Sequence, residues 1–216
     1  MTLATIPHLG RSLAVAFALT LGSAQAAAPA PDAVIRTTTD AIRADIAKNV
    51  DKYRKDKPAF YAMVDREIVP HFDTNYIAKV ILGSHLKQAT PEQITQFEKA
   101  FKDMLVNGYA DRMLEHYDGI EVEIKPARVE SSGKRATVDT TIVRKDGKPP
   151  IPVTFSMRAV GDDWKVWDIK AENISLVLNF RTQIDAEIRK NGIPAVIQRL
   201  SSGQLQVEEP KVGTKP

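Results

Sequence analysis

The sequence predicts an α+β fold, in which helices pack on an antiparallel four-stranded meander within one domain. Three observations predict it. Apolar residues recur about every four positions from Pro31 to Tyr117, every two from Ile120 to Ala171, and every four again from Ile174 to Leu200. The links inside the middle region, Ser131-Ser132-Gly133, Asp146-Gly147-Lys148 and Gly161-Asp162-Asp163, are short and contain glycine, so successive strands are hairpin partners. Helix start and stop signals flank that region on both sides, and helices before and after a hairpin sheet define the α+β class.

The elements follow in order. Ala27 to Pro31 is a leader of small residues and proline. From Pro31, Ile35, Ile42 and Ile46 mark one side of an otherwise polar helix. Lys52 to Lys57 is a charged break, and Pro58 suits the first turn of a second helix whose face is Phe60, Val64 and Ile68. Pro70 ends or bends it, because proline lacks the amide that a helix interior needs. Asp73 or Thr74 caps a short helix toward Leu82, and Gly83 stops it.

The next start is the clearest in the chain. Thr90 is the N-cap, Pro91 takes the first helical position and Gln93 completes a capping box. Ile94, Phe97, Phe101, Met104, Leu105 and Gly108 follow at helical spacing, and Asp118-Gly119 breaks the helix after Tyr117. The strands are expected near Ile120–Val129, Arg135–Arg144, Ile151–Met157 and Trp164–Ala171. Val153, Phe155 and Met157 share one face of the third, and the fourth is apolar on both faces. A helix from about Ile174 to Lys190 turns Val177, Phe180, Ile184 and Ile188 inward, Gly192 stops it, and Pro194 restarts a short helix through Leu200.

The first 26 residues read as an export signal. Arg11 and the terminal amine precede an apolar run from Leu13 to Leu21, and Ala24-Gln25-Ala26 supplies a small-x-small processing site, with Ala28 the alternative. The run is far shorter than the ~20 residues a membrane span needs. The expected division is a signal peptide at 1–26, one domain at 27–202 and a polar tail of little order at 203–216, in an exported protein. Removing residues 1–26 takes away one Arg and no acid, so the formal charge falls from +3 to +2. Charge so near balance gives no concentrated basic face and no argument for nucleic acid.

Catalytic signatures are not found. The chain has no cysteine, which excludes disulfides and thiolate chemistry. Outside the export signal the histidines are His71, His85 and His116, and none has the spacing of a zinc site. His71 and Asp73 read as polar residues flanking a proline turn, and Ser175 as a helix cap. No nucleophile elbow, phosphate-binding loop or dinucleotide fingerprint occurs, so no enzyme and no cofactor is expected. Periodicity places Phe97, Phe101, Leu105 and Tyr109 opposite Val153, Phe155, Trp164 and Trp167, with Ile174 and Leu178 beginning the last helical block. Periodicity alone describes these residues as a filled core.

One further pattern bears on function. Ile68-Val69-Pro70-His71-Phe72-Asp73, Val80-Ile81-Leu82-Gly83, Thr90-Pro91-Glu92-Gln93, the Phe97-to-Tyr109 face, Val166-Trp167-Asp168-Ile169 and Ser175-Leu176 stand in an order that resembles the MlaC family. These are the toluene-tolerance auxiliary proteins, periplasmic carriers of phospholipid between the inner and outer membranes. The resemblance departs at His85-Leu86, where an aromatic is frequent, and at Asn173, where glycine is common. It implies a curved sheet of the NTF2-like or cystatin-like kind, and a cavity for acyl chains between sheet and helices with the head group toward solvent. Phe97, Phe101, Leu105, Tyr109, Val153, Phe155, Trp164, Trp167, Ile174 and Leu178 are its expected lining. Its implied partners are phospholipid, an inner-membrane MCE-type ring with its ABC transporter, and an outer-membrane lipoprotein–porin complex. Two other readings are a binding protein for another apolar ligand, such as a solvent, isoprenoid or quinone, and a ligand-free adaptor.

Overall fold

Six α-helices and six strands are laid out in blocks over residues 29–208, the part of the chain that the computed structural model describes. The expected export signal at 1–26 lies outside the described residues, as does the end of the tail. Helix α1 (Pro31–Lys55) runs to Asp56, whose carboxylate accepts the Ala59 amide at 3.1 Å and so starts α2 (Lys57–Glu67). A 3₁₀ turn at Val69–His71 leads to α3 (Thr74–Leu82), capped by Asp73. The expected capping box opens α4 (Pro91–His116): the Gln93 amide donates to Thr90 Oγ1 at 3.2 Å and the Thr90 amide to Gln93 Oε1 at 3.0 Å.

The sheet is antiparallel, with strands β1 (Ile120–Ile124), β2 (Arg128–Val129), β3 (Arg135–Arg144), β4 (Ile151–Val160), β5 (Asp163–Ala171) and β6 (Ile174–Ser175). Their order is β1-β3-β4-β5-β6, and β2 pairs with β3 beyond the end of β1. Two differences from the expected four strands have local causes. Pro126 has no amide to give the ladder, so the first expected strand divides into β1 and β2. Glu172 and Asn173 both take positive φ, 49° and 68°, which is what a two-residue hairpin turn requires. Ala171 therefore pairs with Ile174, and the last helix starts two residues later than expected. Asn tolerates this backbone, which accounts for its standing where the resemblance has glycine. The structure supports the α+β class and the antiparallel sheet, and no narrower label.

Helix α5 (Leu176–Asn191) begins at Ser175, whose Oγ accepts the Leu178 amide at 3.1 Å, and α6 (Ile193–Ser201) follows Gly192. The tail differs from expectation in its first residues. Leu205 and Val207 are buried in the core beside α6, so ordered packing continues past Gly203.

The interior consists of three packed clusters. One joins α3, the first half of α4, α5 and α6, with Ile81, Phe97 and Ile184 at its centre. A second joins α1, α2 and the second half of α4 through Ile46, Phe60 and Leu114. The third sets Ile35 of α1 against one face of the sheet, at Val138, Met157 and Val166.

Candidate functional site: an apolar cavity at the junction of three cores

A cavity of about 350 Å³ opens where the three clusters meet. Helix α4 supplies its floor. Phe101, Leu105 and Tyr109 stand one turn apart on the face turned inward, with Val106 and Met113 beside them. The end of α2 and the following turn form one side with Val64, Ile68 and Val69, and α3 adds Ile77 and Ala78. The remaining side is Trp167-Asp168-Ile169 of β5 together with Leu176, Val177 and Phe180 of α5. The β5 edge is available because its neighbours leave a gap. Phe72 bridges to Val166 below, β6 pairs at Lys170 and Ala171 above, and residues 167–169 between them face the cavity. A second hollow of about 410 Å³ lies between α4 and α6. Lys99, Asp103, Asn107 and Gln206 line it, so it offers hydrocarbon no dry wall.

Four of the ten residues singled out from sequence line the cavity: Phe101, Leu105, Tyr109 and Trp167. Phe97 belongs to the first cluster, fully buried, with its ring stacked on Phe101 at 5.7 Å. Phe155 and Trp164 pack against the third cluster, and Val153 shares their sheet face two residues from Phe155; α1 covers that face, so these three miss the cavity. Ile174 and Leu178 are exposed, 42% and 54%, because the hairpin turn places Ile174 in β6 and leaves Leu178 on the outer side of α5. Sequence reasoning expected the flat of the sheet as the wall, and the structure uses its edge. The lining missed includes Ile68-Val69, Phe72, Ile77 and Leu176-Val177. Periodicity assigns Ile68 and Val177 to helix faces, and Val69, Phe72 and Leu176 fall at or between element ends, where it defines no face.

The charged side chains of the lining are all engaged. Asp168 is buried at 3% exposure and accepts both the Ser175 hydroxyl at 2.9 Å and the Val177 amide at 3.2 Å. Burial pushes its carboxyl above the usual range against the pull of those bonds. Glu98 accepts from Thr74 Oγ1 at 2.6 Å and Asn75 Nδ2 at 2.8 Å, tying α4 to α3. Lys102 bridges Asp65 of α2 and Asp103, each at 2.7 Å.

At the rim, Trp167 is half-exposed while lining the cavity. Tyr76 meets its ring edge-on at 5.8 Å, and the Arg135 guanidinium lies 5.3 Å from its centroid. Asp73 pairs with Arg158 and caps α3 through the Tyr76 amide, so it does not orient His71. His85 is bonded to Asp185 at 2.7 Å. No histidine or serine is among the lining residues. Among the described residues no cluster of three or more histidines, aspartates or glutamates could hold a metal. No described helix is long and apolar enough to cross a membrane. The arrangement offers apolar volume and an opening.

Fold and cavity together define a class, the α+β proteins that keep an open apolar chamber between helices and a sheet edge. Comparison of the sequence with known families makes this specific, since the family described as MlaC protein matches residues 36–202. The chain belongs to the MlaC family. It is 30% identical over 167 residues to the Toluene tolerance protein ttg2D of Pseudomonas putida, covering 77% of this chain and 76% of that one. It is 22% identical over 178 residues to the Intermembrane phospholipid transport system binding protein MlaC of Haemophilus influenzae, covering 82% and 83%. Among solved structures it resembles a phospholipid-binding protein from Ralstonia solanacearum in complex with a phospholipid. The TM-score is 0.72 at 26% identity, over 81% of this chain and 96% of that one.

Proposed function

We propose that this chain is a periplasmic phospholipid carrier that keeps acyl chains in the cavity while moving lipid between the inner and outer membranes. The observation that carries the reading is the cavity itself, apolar and open at a rim, in a member of a family whose relatives are named for phospholipid binding and transport. Each methylene removed from water is worth ~0.8 kcal/mol, so two chains of about 15 methylenes represent on the order of 24 kcal/mol. A membrane supplies a similar amount, so exchange is nearly balanced provided the chains stay dry in transit. The carrier then needs no catalytic group of its own. Its donors and acceptors would be the implied inner-membrane MCE-type ring with its ABC transporter and the outer-membrane lipoprotein–porin complex.

A smaller apolar ligand, such as a solvent, isoprenoid or quinone, meets the same apolar walls.

Organic extraction of protein isolated without detergent, followed by mass spectrometry, separates these ligands. Intact phospholipid of mixed head groups is the expected result. Recovery of a quinone or isoprenoid alone would reassign the ligand, and lyso-lipid with free fatty acid would point to a hydrolase. Leu105→Glu is the companion variant, since a carboxylate among hydrocarbon costs several kcal/mol without a partner. Retained lipid should fall to background, while the melting temperature of the lipid-free protein changes little because water can enter the empty cavity. A variant with its full lipid load would place the acyl chains elsewhere.

A further inference from the structure

We propose that Arg135 is the anion-binding residue at the cavity rim and that it contacts the phosphodiester of a lipid whose chains occupy the cavity. The inference rests on the carrier reading and extends it from the tails to the head group.

The argument begins with charge. Arg135 on β3 and Arg158 on β4 are directly opposite in the sheet register, an arrangement of like charges that disfavours the strand pair. One carboxylate serves the two of them: Asp73 pairs with Arg158 and so neutralises that member. Arg135 is in no ion pair among the described residues, and its recorded hydrogen bond goes from Nη2 to the Tyr76 hydroxyl at 3.3 Å. A guanidinium carries five N–H donors in a planar fork, so most of its capacity is unspent at a half-buried position.

Geometry supplies the second part. The Arg135 guanidinium stacks over Trp167, and Arg158 lies 4.5 Å from the centroid of Tyr76, whose ring meets Trp167 edge-on. Trp167 lines the cavity and is itself partly exposed. A tail lying along Trp167 therefore brings whatever it is attached to beside a guanidinium that has no carboxylate partner among the described residues. A phosphodiester accepts two parallel N–H bonds from such a fork and would relieve the like-charge pair. The same contact serves any phospholipid, because the phosphate is common to all of them.

The test is competitive loading. Delipidated wild type and Arg135→Gln are incubated with vesicles containing both dioleoyl phosphatidic acid and dioleoylglycerol, which share their chains and differ in the phosphate. The lipids retained are then quantified by mass spectrometry. The ratio of phospholipid to diacylglycerol should fall about tenfold in the variant, as loss of one charge-assisted hydrogen bond implies, with diacylglycerol retention unchanged. An unchanged ratio overturns the proposal. Equal loss of both lipids also overturns it, by making Arg135 a support for Trp167. Saturable binding of inorganic phosphate that Arg135→Gln abolishes, with the lipid ratio intact, would give the site to free phosphate instead. Should Arg135→Gln fail to fold, Arg135→Lys keeps the charge without the fork, and the same fall or constancy of the ratio decides. Wild type that takes up neither lipid would overturn the carrier reading itself, a result distinct from all of these.

Discussion

Burial holds the Asp168 carboxyl above the ordinary carboxylate range, although Ser175 and the Val177 amide both donate to it. Because the folded-state value is raised, native protein takes up this proton more readily than the unfolded chain, whose aspartates titrate near ~3.9. The group is neutral to stability below that value and becomes a cost as pH rises through the interval up to its folded value. Asp139 works with the opposite sign. Hydrogen bonds from Arg128 and Thr154 lower it, so its stabilisation is present above the ordinary value and is lost as pH falls through its lowered one. Asp168→Asn separates the two contributions. The melting temperature of the variant relative to wild type should rise as pH climbs above about 4 and the wild-type penalty sets in. Parallel curves above that pH would mean that burial of the charge is compensated in full.

Edges and ends govern the elements. Strand β1 lies at one margin of the sheet, and its outward carbonyls would be an open template for another strand. Two arginines one heptad apart on α1 cover them, Arg43 donating to the Ile120 carbonyl at 2.7 Å and Arg36 to that of Ile124 at 3.2 Å. Arg43→Ala should cost about 1–2 kcal/mol in denaturant unfolding, and Arg36→Ala with Arg43→Ala should add concentration-dependent light scattering. Absence of any scattering would show that α1 blocks the edge by its bulk alone. The helices and their caps were legible from sequence because caps are local: Thr90, Pro91 and Gln93 lie within one turn of one another. Strand division was legible in part. Pro126 could have been read as a break in the ladder, whereas the hairpin at Glu172-Asn173 has no glycine and does not look like a two-residue turn.

For the whole molecule, the cavity is a consequence of having three cores where a domain of this size could pack one. Each cluster is close-packed around its own aromatic and aliphatic centre, and α4 belongs to two of them along its length. Their junction can therefore stand open without loosening any of them. Sequence periodicity identified the floor, because Phe101, Leu105 and Tyr109 repeat on one helix face. It could not distinguish wall from filled core, since both present the same apolar face, and it placed Phe155 on the wall when α1 takes that sheet face. A ligand that binds only the folded state stabilises it by mass action, by about 2.7 kcal/mol at a hundredfold excess over Kd. Lipid-loaded protein should thus melt above delipidated protein, and equal melting temperatures would place the lipid on the surface.

The same open junction gives the molecule a mechanical signature. Unfolding eliminates internal void, and pressure favours whichever state occupies less volume. The empty protein leaves about 350 Å³ at the meeting of its cores whose apolar walls hold water poorly, and should therefore unfold at lower hydrostatic pressure than the loaded one. Filling the void with hydrocarbon removes most of that volume difference. Tryptophan fluorescence during compression would follow it, because Trp167 lines the space that collapses. The protein is softest when the cavity is empty, and the pressure midpoint measures whether a ligand fills it.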